Sequence, residues 1–91
     1  MGIMNNLKTT RPPADVEEME FLNHCICHGT SFLAAKLHEE DHTLKVYQDT
    51  RGFYLGCWDG GLDLRDSEYF PNREAAQAAL DNHSWTQRLD P

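Results

Sequence analysis

The stretch from Thr43 to Leu80 constrains the fold more than any other part of the chain, because its pattern reads without a break. Residues 43–49, 52–58 and 62–65 form three short runs with the two-residue alternation of half-buried strands. Leu44 and Val46 alternate with Lys45 and Tyr47. Phe53, Leu55 and Cys57 share one side of the second run, Tyr54, Gly56 and Trp58 the other, and Leu62 and Leu64 alternate with Asp63 and Arg65. Turns separate the runs: Asp49-Thr-Arg-Gly52, where Gly52 is free to take a positive φ, and the hairpin signal Asp59-Gly60-Gly61. A helix then starts behind Phe70-Pro71, capped by Asn72, with Glu74 in its first turn. Its stripe of Ala75, Ala76, Ala79 and Leu80 is flat enough to lie close on the aliphatic side of a sheet.

Upstream, the pattern turns helical. Pro13 suits a first turn, and Asp15, Glu17, Glu18 and Glu20 follow at the positive end of the helix dipole. Val16, Met19, Leu22, Cys25 and Ile26 form one apolar stripe, and Gly29 is the stop. Residues 32–41, capped by Thr30 or Ser31 and with Leu33 and Leu37 on one face, read as a short second helix, with a strand as the alternative. The expected architecture is α+β: a three-stranded antiparallel β-meander packed with a C-terminal helix and one or two N-terminal helices. Residues 1–13 are expected to be a flexible arm, 14–83 a single domain, and 84–91 a polar tail anchored by Trp85.

Ninety-one residues give one domain with little room for both a core and a deep cleft. Lys and Arg total 8 against 15 Asp and Glu, a formal charge of -7, which disfavours direct nucleic-acid binding and adsorption to an anionic membrane. No apolar run approaches the ~20 residues of a spanning helix, no signal-peptide pattern opens the sequence, and the odd count of three cysteines fits reduced thiols in a cytoplasm. No cofactor is expected.

Two clusters have the residue types of a metal site. His38-Glu39-Glu40-Asp41-His42 matches H-E-x-x-H, in which a helix holds two zinc ligands on one face with a glutamate as base. The run turns into a strand at once, and no third ligand stands at a recognisable spacing. His24, Cys25, Cys27 and His28 offer zinc donors, but C-x-C is not a knuckle spacing. In a helix hairpin turning near Thr30, position 24 would lie level with about position 36, so His24 and His38 would meet while His28 and His42 diverge. Cys27 beside His24 or His28 has the types of a nucleophile and base without the third group that orients them. The expectation is therefore no catalytic residue and no metal, with His24, Cys25, Cys27, His28, His38 and His42 as the alternative ligand set.

That leaves surface. Tyr47, Tyr54 and Trp58 put more aromatic area on one sheet face than solvation alone explains, flanked by Asp59, Asp63, Asp66 and Glu68. The alternative is that the first helix covers that face and the rings are core. The expected contact set is Asp15, Glu17, Glu18 and Glu20 with Tyr54, Trp58, Asp59, Asp63 and Asp66.

The segments Gly52-Phe-Tyr-Leu-Gly-Cys-Trp-Asp-Gly-Gly-Leu-Asp-Leu-Arg65 and Tyr69-Phe-Pro-Asn-Arg-Glu-Ala-Ala-Gln-Ala-Ala-Leu80 resemble small α+β proteins encoded by phages and mobile elements. In these a short meander leads through a Phe-Pro step into an Arg-Glu-Ala-Ala helix, and some anti-CRISPR proteins are similar in size, acidity and layout. The resemblance is one of layout and carries over no functional residue. It implies a non-enzymatic inhibitor that occupies the basic, nucleic-acid-binding surface of a host protein, as a monomer or homodimer. A zinc-stabilised module, or a minimal zinc hydrolase, is the other expectation.

Overall fold

A computed structural model describes residues 8–59 and 62–91, with the side chains of all of these except Asp59 and Leu62. The expected Gly60-Gly61 hairpin turn and residues 1–7 of the arm lie outside the described residues. The element order is α1 (Val16–His28), α2 (Phe32–His38), β1 (Lys45–Asp49), β2 (Gly52–Asp59), β3 (Leu62–Arg65) and α3 (Arg73–Asp81). The strands form one antiparallel sheet in the order β1-β2-β3, with Val46 opposite Leu55 and Cys57 opposite Leu64. This is the expected α+β meander with a C-terminal helix, and both N-terminal segments are helical.

Local chemistry sets the helix ends. Asp15 caps α1 by accepting from the Glu18 N–H at 2.8 Å, and Gly29 ends it in the left-handed region at φ 68°, which costs a residue without a Cβ little. Ser31 caps α2 through the Ala34 N–H. That helix stops at His38, three residues short of the expected end, because Glu39 takes a left-handed φ of 55°. Asn72 caps α3 as expected.

The core lies between the helices and one sheet face. Leu22, Cys25 and Ile26 of α1, Phe32, Leu33 and Ala34 of α2, and Ala76 and Ala79 of α3 join Leu44, Leu55, Cys57 and Leu64 in one buried cluster. The alanine stripe lets α3 lie on β2 and β1. Two expected core positions are exposed instead: Val16 is 67% exposed and Leu37 44%. Val16 begins α1 on its solvent flank, and Leu37 sits in the last turn of a helix that ends one residue later.

The largest correction concerns the chain ends. Residues 84–91 are not a polar tail, because Trp85, Gln87 and Leu89 are fully buried and belong to the core. The described part of the arm is tied to them: Thr9 bridges Gln87 in parallel, the Thr10 N–H donates to the Gln87 carbonyl at 3.0 Å, and Lys8 accepts from the Gln87 N–H at 2.8 Å.

One carboxylate holds this seam to the rest. Asp66, directly after β3, has no exposed surface. It accepts from the Ser31 hydroxyl at 2.7 Å, the Leu33 N–H at 3.2 Å and the Gln87 amide at 2.8 Å. Gln87 in turn accepts from the Trp85 indole at 2.9 Å. Removing Asp66 would strand these donors in a dry interior. Asp66→Ala, which leaves several buried donors unsatisfied, is therefore expected to lower unfolding free energy by ~3–5 kcal/mol and Trp85→Ala by ~3–5 kcal/mol, read as denaturant midpoints. Trp58→Ala, at a residue 60% exposed, should stay within ~0.5 kcal/mol.

Candidate functional site

The expected contact residues fall on two sides of the molecule and are not all available. On α1, Leu22, Cys25 and Ile26 face the core, so helical geometry turns the opposite flank to solvent. That flank carries Val16, Glu17, Glu20, Phe21, His24, Cys27 and His28, all exposed. Glu17 and Phe21 stand one turn apart, with Phe21 40% exposed and its ring 5.6 Å from that of Phe32. Among the described residues no ion pair engages Glu17 or Glu20.

Glu18 points inward and drops out of the contact set. Its carboxylate pairs with Arg11 at 3.2 Å and Lys36 at 3.4 Å, and accepts from the Ala14 N–H at 2.6 Å. The Arg11 guanidinium, and then the Ala14 N–H, hold the Glu18 carboxyl at about 2, well below its ordinary 4.5. Arg11 reaches on to Asp90 at 3.0 Å, so the same cluster clamps the carboxy-terminal segment. Asp66 drops out as well. It is buried, and that burial raises its pKa against the opposing pull of Gln87 and Ser31.

The second surface is the sheet face turned away from the helices. Among the described residues no helix covers it; its rings cover one another. Tyr54 lies 5.9 Å from Tyr47 and 5.8 Å edge-on from Tyr69, and is only 4% exposed. Gly56 makes room for it: a Cβ there would stand 3.2 Å from the Tyr54 ring and run into the Leu64 carbonyl. Tyr54 is thus a buried support and not a contact residue. Its hydroxyl donates to both oxygens of Asp63, at 2.9 and 3.1 Å, and burial followed by that carboxylate raises its pKa. Asp63 is exposed, and so is Trp58. The side chain of Asp59 lies outside the described residues.

Sequence patterning missed what else gathers on this face. The Tyr69 hydroxyl donates to Asp49 at 2.8 Å, and the guanidiniums of Arg51 and Arg65 lie over the Tyr69 ring at 5.1 and 4.2 Å. The available signal was the alternation on β3, which puts Arg65 on the aromatic side together with Asp63. Tyr69 and Arg88 come from irregular segments that no periodicity places.

The metal readings do not assemble. Because α2 ends at His38 and Glu39 turns left-handed, His38 and His42 do not share a helix face. His42 instead pairs with Glu40 at 2.8 Å. Glu18 meets Lys36 and Phe21 meets Phe32, so position 36 lies level with position 18 rather than 24, and His38 runs away from His24. His28 donates through Nδ1 to the His24 carbonyl at 2.8 Å, and the two rings lie 4.2 Å apart. Cys25 is buried, and burial raises its pKa. Among the described residues no hydrogen bond ties Cys27 to either imidazole, and no three His, Cys, Asp or Glu side chains converge on a point where an ion would sit.

No protein family, curated protein or solved structure matches the chain. Among the described residues no helix is long and apolar enough to cross a membrane.

Glu18 gives the site a pH signature. Its pKa is depressed in the folded chain, so its contribution is complete above about 4.5 and is lost as pH falls toward about 2. Glu18→Gln is expected to flatten the acid limb of stability over that window, read as the urea midpoint at pH values from 5 down to 2. Asp66 works in the opposite sense, since its raised pKa makes stability fall as pH rises through its folded value.

Proposed function

We propose that this chain is a small non-enzymatic binding protein that sets the exposed flank of α1 against a basic surface of a protein partner. One observation carries the reading: exposed Val16 and Phe21 flank Glu17 and Glu20 on the open side of a helix whose other side is core. An exposed aromatic ring within a carboxylate field is a fitting anchor for a cationic surface, the ring supplying buried area and the acids supplying steering. The nearby cations, Arg11 and Lys36, are already held by Glu18 and Asp90, so they do not neutralise the flank. Asp15 extends the field at the helix start, and Glu39, Glu40 and Asp41 follow α2 in exposed positions.

The partner class follows from the resemblance in sequence layout to small phage-encoded inhibitors, which points to a host protein that handles nucleic acid with a groove lined by Lys and Arg. Occupying such a groove needs carboxylates at the surface and no catalytic group. A host cytoplasm is the compartment this reading implies.

The reading differs from the sequence expectation in its contact residues. Asp15, Glu17 and Glu20 remain and Phe21 joins them. Glu18, Tyr54 and Asp66 are withdrawn into the structure, and the arginine-bearing sheet face with Trp58 and Asp63 is a separate surface.

Affinity purification of the full chain from its host, followed by titration of the captured protein, tests this. Glu17→Lys combined with Glu20→Lys is expected to weaken binding at least ~30-fold, ~2 kcal/mol, and to flatten its dependence on salt. Phe21→Ala should weaken it by about tenfold, or ~1.4 kcal/mol. A captured partner that binds the reversal variant with unchanged affinity and unchanged salt dependence would overturn the proposal.

A further inference from the structure

The aromatic sheet face holds a concentration of positive charge at odds with an acidic chain. Three of its five arginines, Arg51, Arg65 and Arg88, line one open cavity of about 250 Å³. Small-molecule pockets run to roughly 300–1,000 Å³, so this one suits a compact charged head and not a whole cofactor.

Arg65 and Arg88 are half-buried, and neither has a carboxylate partner among the described residues. Each guanidinium carries five N–H donors. Arg65 commits one to the Ser67 carbonyl at 2.6 Å, and Arg88 one to the Arg65 carbonyl at 3.1 Å. These are their only side-chain hydrogen bonds among the described residues. Pro91 also lines the cavity, and the cavity's two side-chain carboxylates, Asp49 and Asp63, are turned to other work: Asp63 takes the Tyr54 hydroxyl, and Asp49 takes the Tyr69 hydroxyl and the Arg51 N–H at 2.7 Å. Among the described residues only Arg51, of the three, reaches a carboxylate, Asp49, at 3.7 Å. Burial, and then the neighbouring Arg65, lower the pKa of Arg88. Both guanidiniums line the same open cavity with donors left over that face it, so an anion entering there would meet two forks at once.

The geometry points to an oxyanion site, in which Arg65 and Arg88 fork onto a phosphate dianion, free or as the head of a small phosphomonoester, with Arg51 closing the open side. Guanidinium forks match phosphate oxygens in pairs. The Tyr69 ring, over which the Arg65 guanidinium stands at 4.2 Å, holds that fork in place before the ligand arrives. This site is independent of the α1 contact and is formed by different elements.

Calorimetric titration of the full chain with inorganic phosphate at low ionic strength and neutral pH tests it. Saturable binding with one phosphate per chain is expected. Arg65→Gln and Arg88→Gln should each weaken it at least ~tenfold, and Arg88→Lys, which keeps the charge and loses the fork, by several fold. Arg51→Gln, at an exposed side chain that leaves the core untouched, should weaken it by a few fold, and Asp63→Asn should tighten it by removing a repelling charge. Lys45→Gln, on another strand of the same face, should change nothing. Equal affinities for inorganic phosphate and glycerol 3-phosphate identify the free ion as sufficient, and tighter binding of the ester identifies a monoester head. No saturable phosphate binding by the wild-type chain, or undiminished binding by a folded Arg51→Gln or Arg88→Gln variant, overturns the assignment.

Discussion

The structure depends on one buried carboxylate placed where three segments meet. Asp66 leaves β3 into the interior and is met there by the cap of α2 and by the amide of Gln87. A buried charge is costly on its own, and it is tolerated when every lone pair finds a donor. The same atoms that satisfy Asp66 therefore fix geometry that nothing else dictates: where a two-turn helix starts, and where the last residues of the chain lie. A helix of seven residues has little stability of its own. Ser31 holds its first turn, and Asp66 holds Ser31.

What the sequence made legible was local. The meander, the Asn72 cap and the Gly29 stop rest on two-residue alternation and on cap chemistry, which act over a few positions. The seam between residues 8–10 and 87–89 rests on partners at opposite ends of the chain, and no periodicity announces such pairs. Gln87 looks like any surface glutamine until its neighbours Trp85 and Asp66 are in place. The acidic run of α1 shows the same limit. Periodicity separates a buried side from an open one, but Glu18 and Glu17 are adjacent in sequence, and only the position of Arg11 and Lys36 decides which carboxylate turns inward. Tyr54 and Trp58 share a face, yet one is buried by Tyr47 and Tyr69 while the other stays in water.

The charge of the chain is consequently not spread evenly. Carboxylates dominate the outer flank of α1 and the turn after α2, whereas the far face of the sheet carries Lys45, Arg51 and Arg65 from the strands and their turns and Arg88 from the closing segment. Formal charge describes the sum and conceals the separation. A molecule so divided would turn in the field of any charged surface it met, presenting its acidic flank to positive charge and its arginines to negative charge.

The closing segment also has a kinetic meaning. Arg11 and Asp90 meet across 79 residues, so their contact closes a loop almost as long as the chain itself. The entropy lost in such closure grows with loop length and is recovered only when the meander and helices have already brought both ends to the same edge. Closing the seam therefore waits on the rest of the fold, and Trp85 and Leu89 stay bare until it forms.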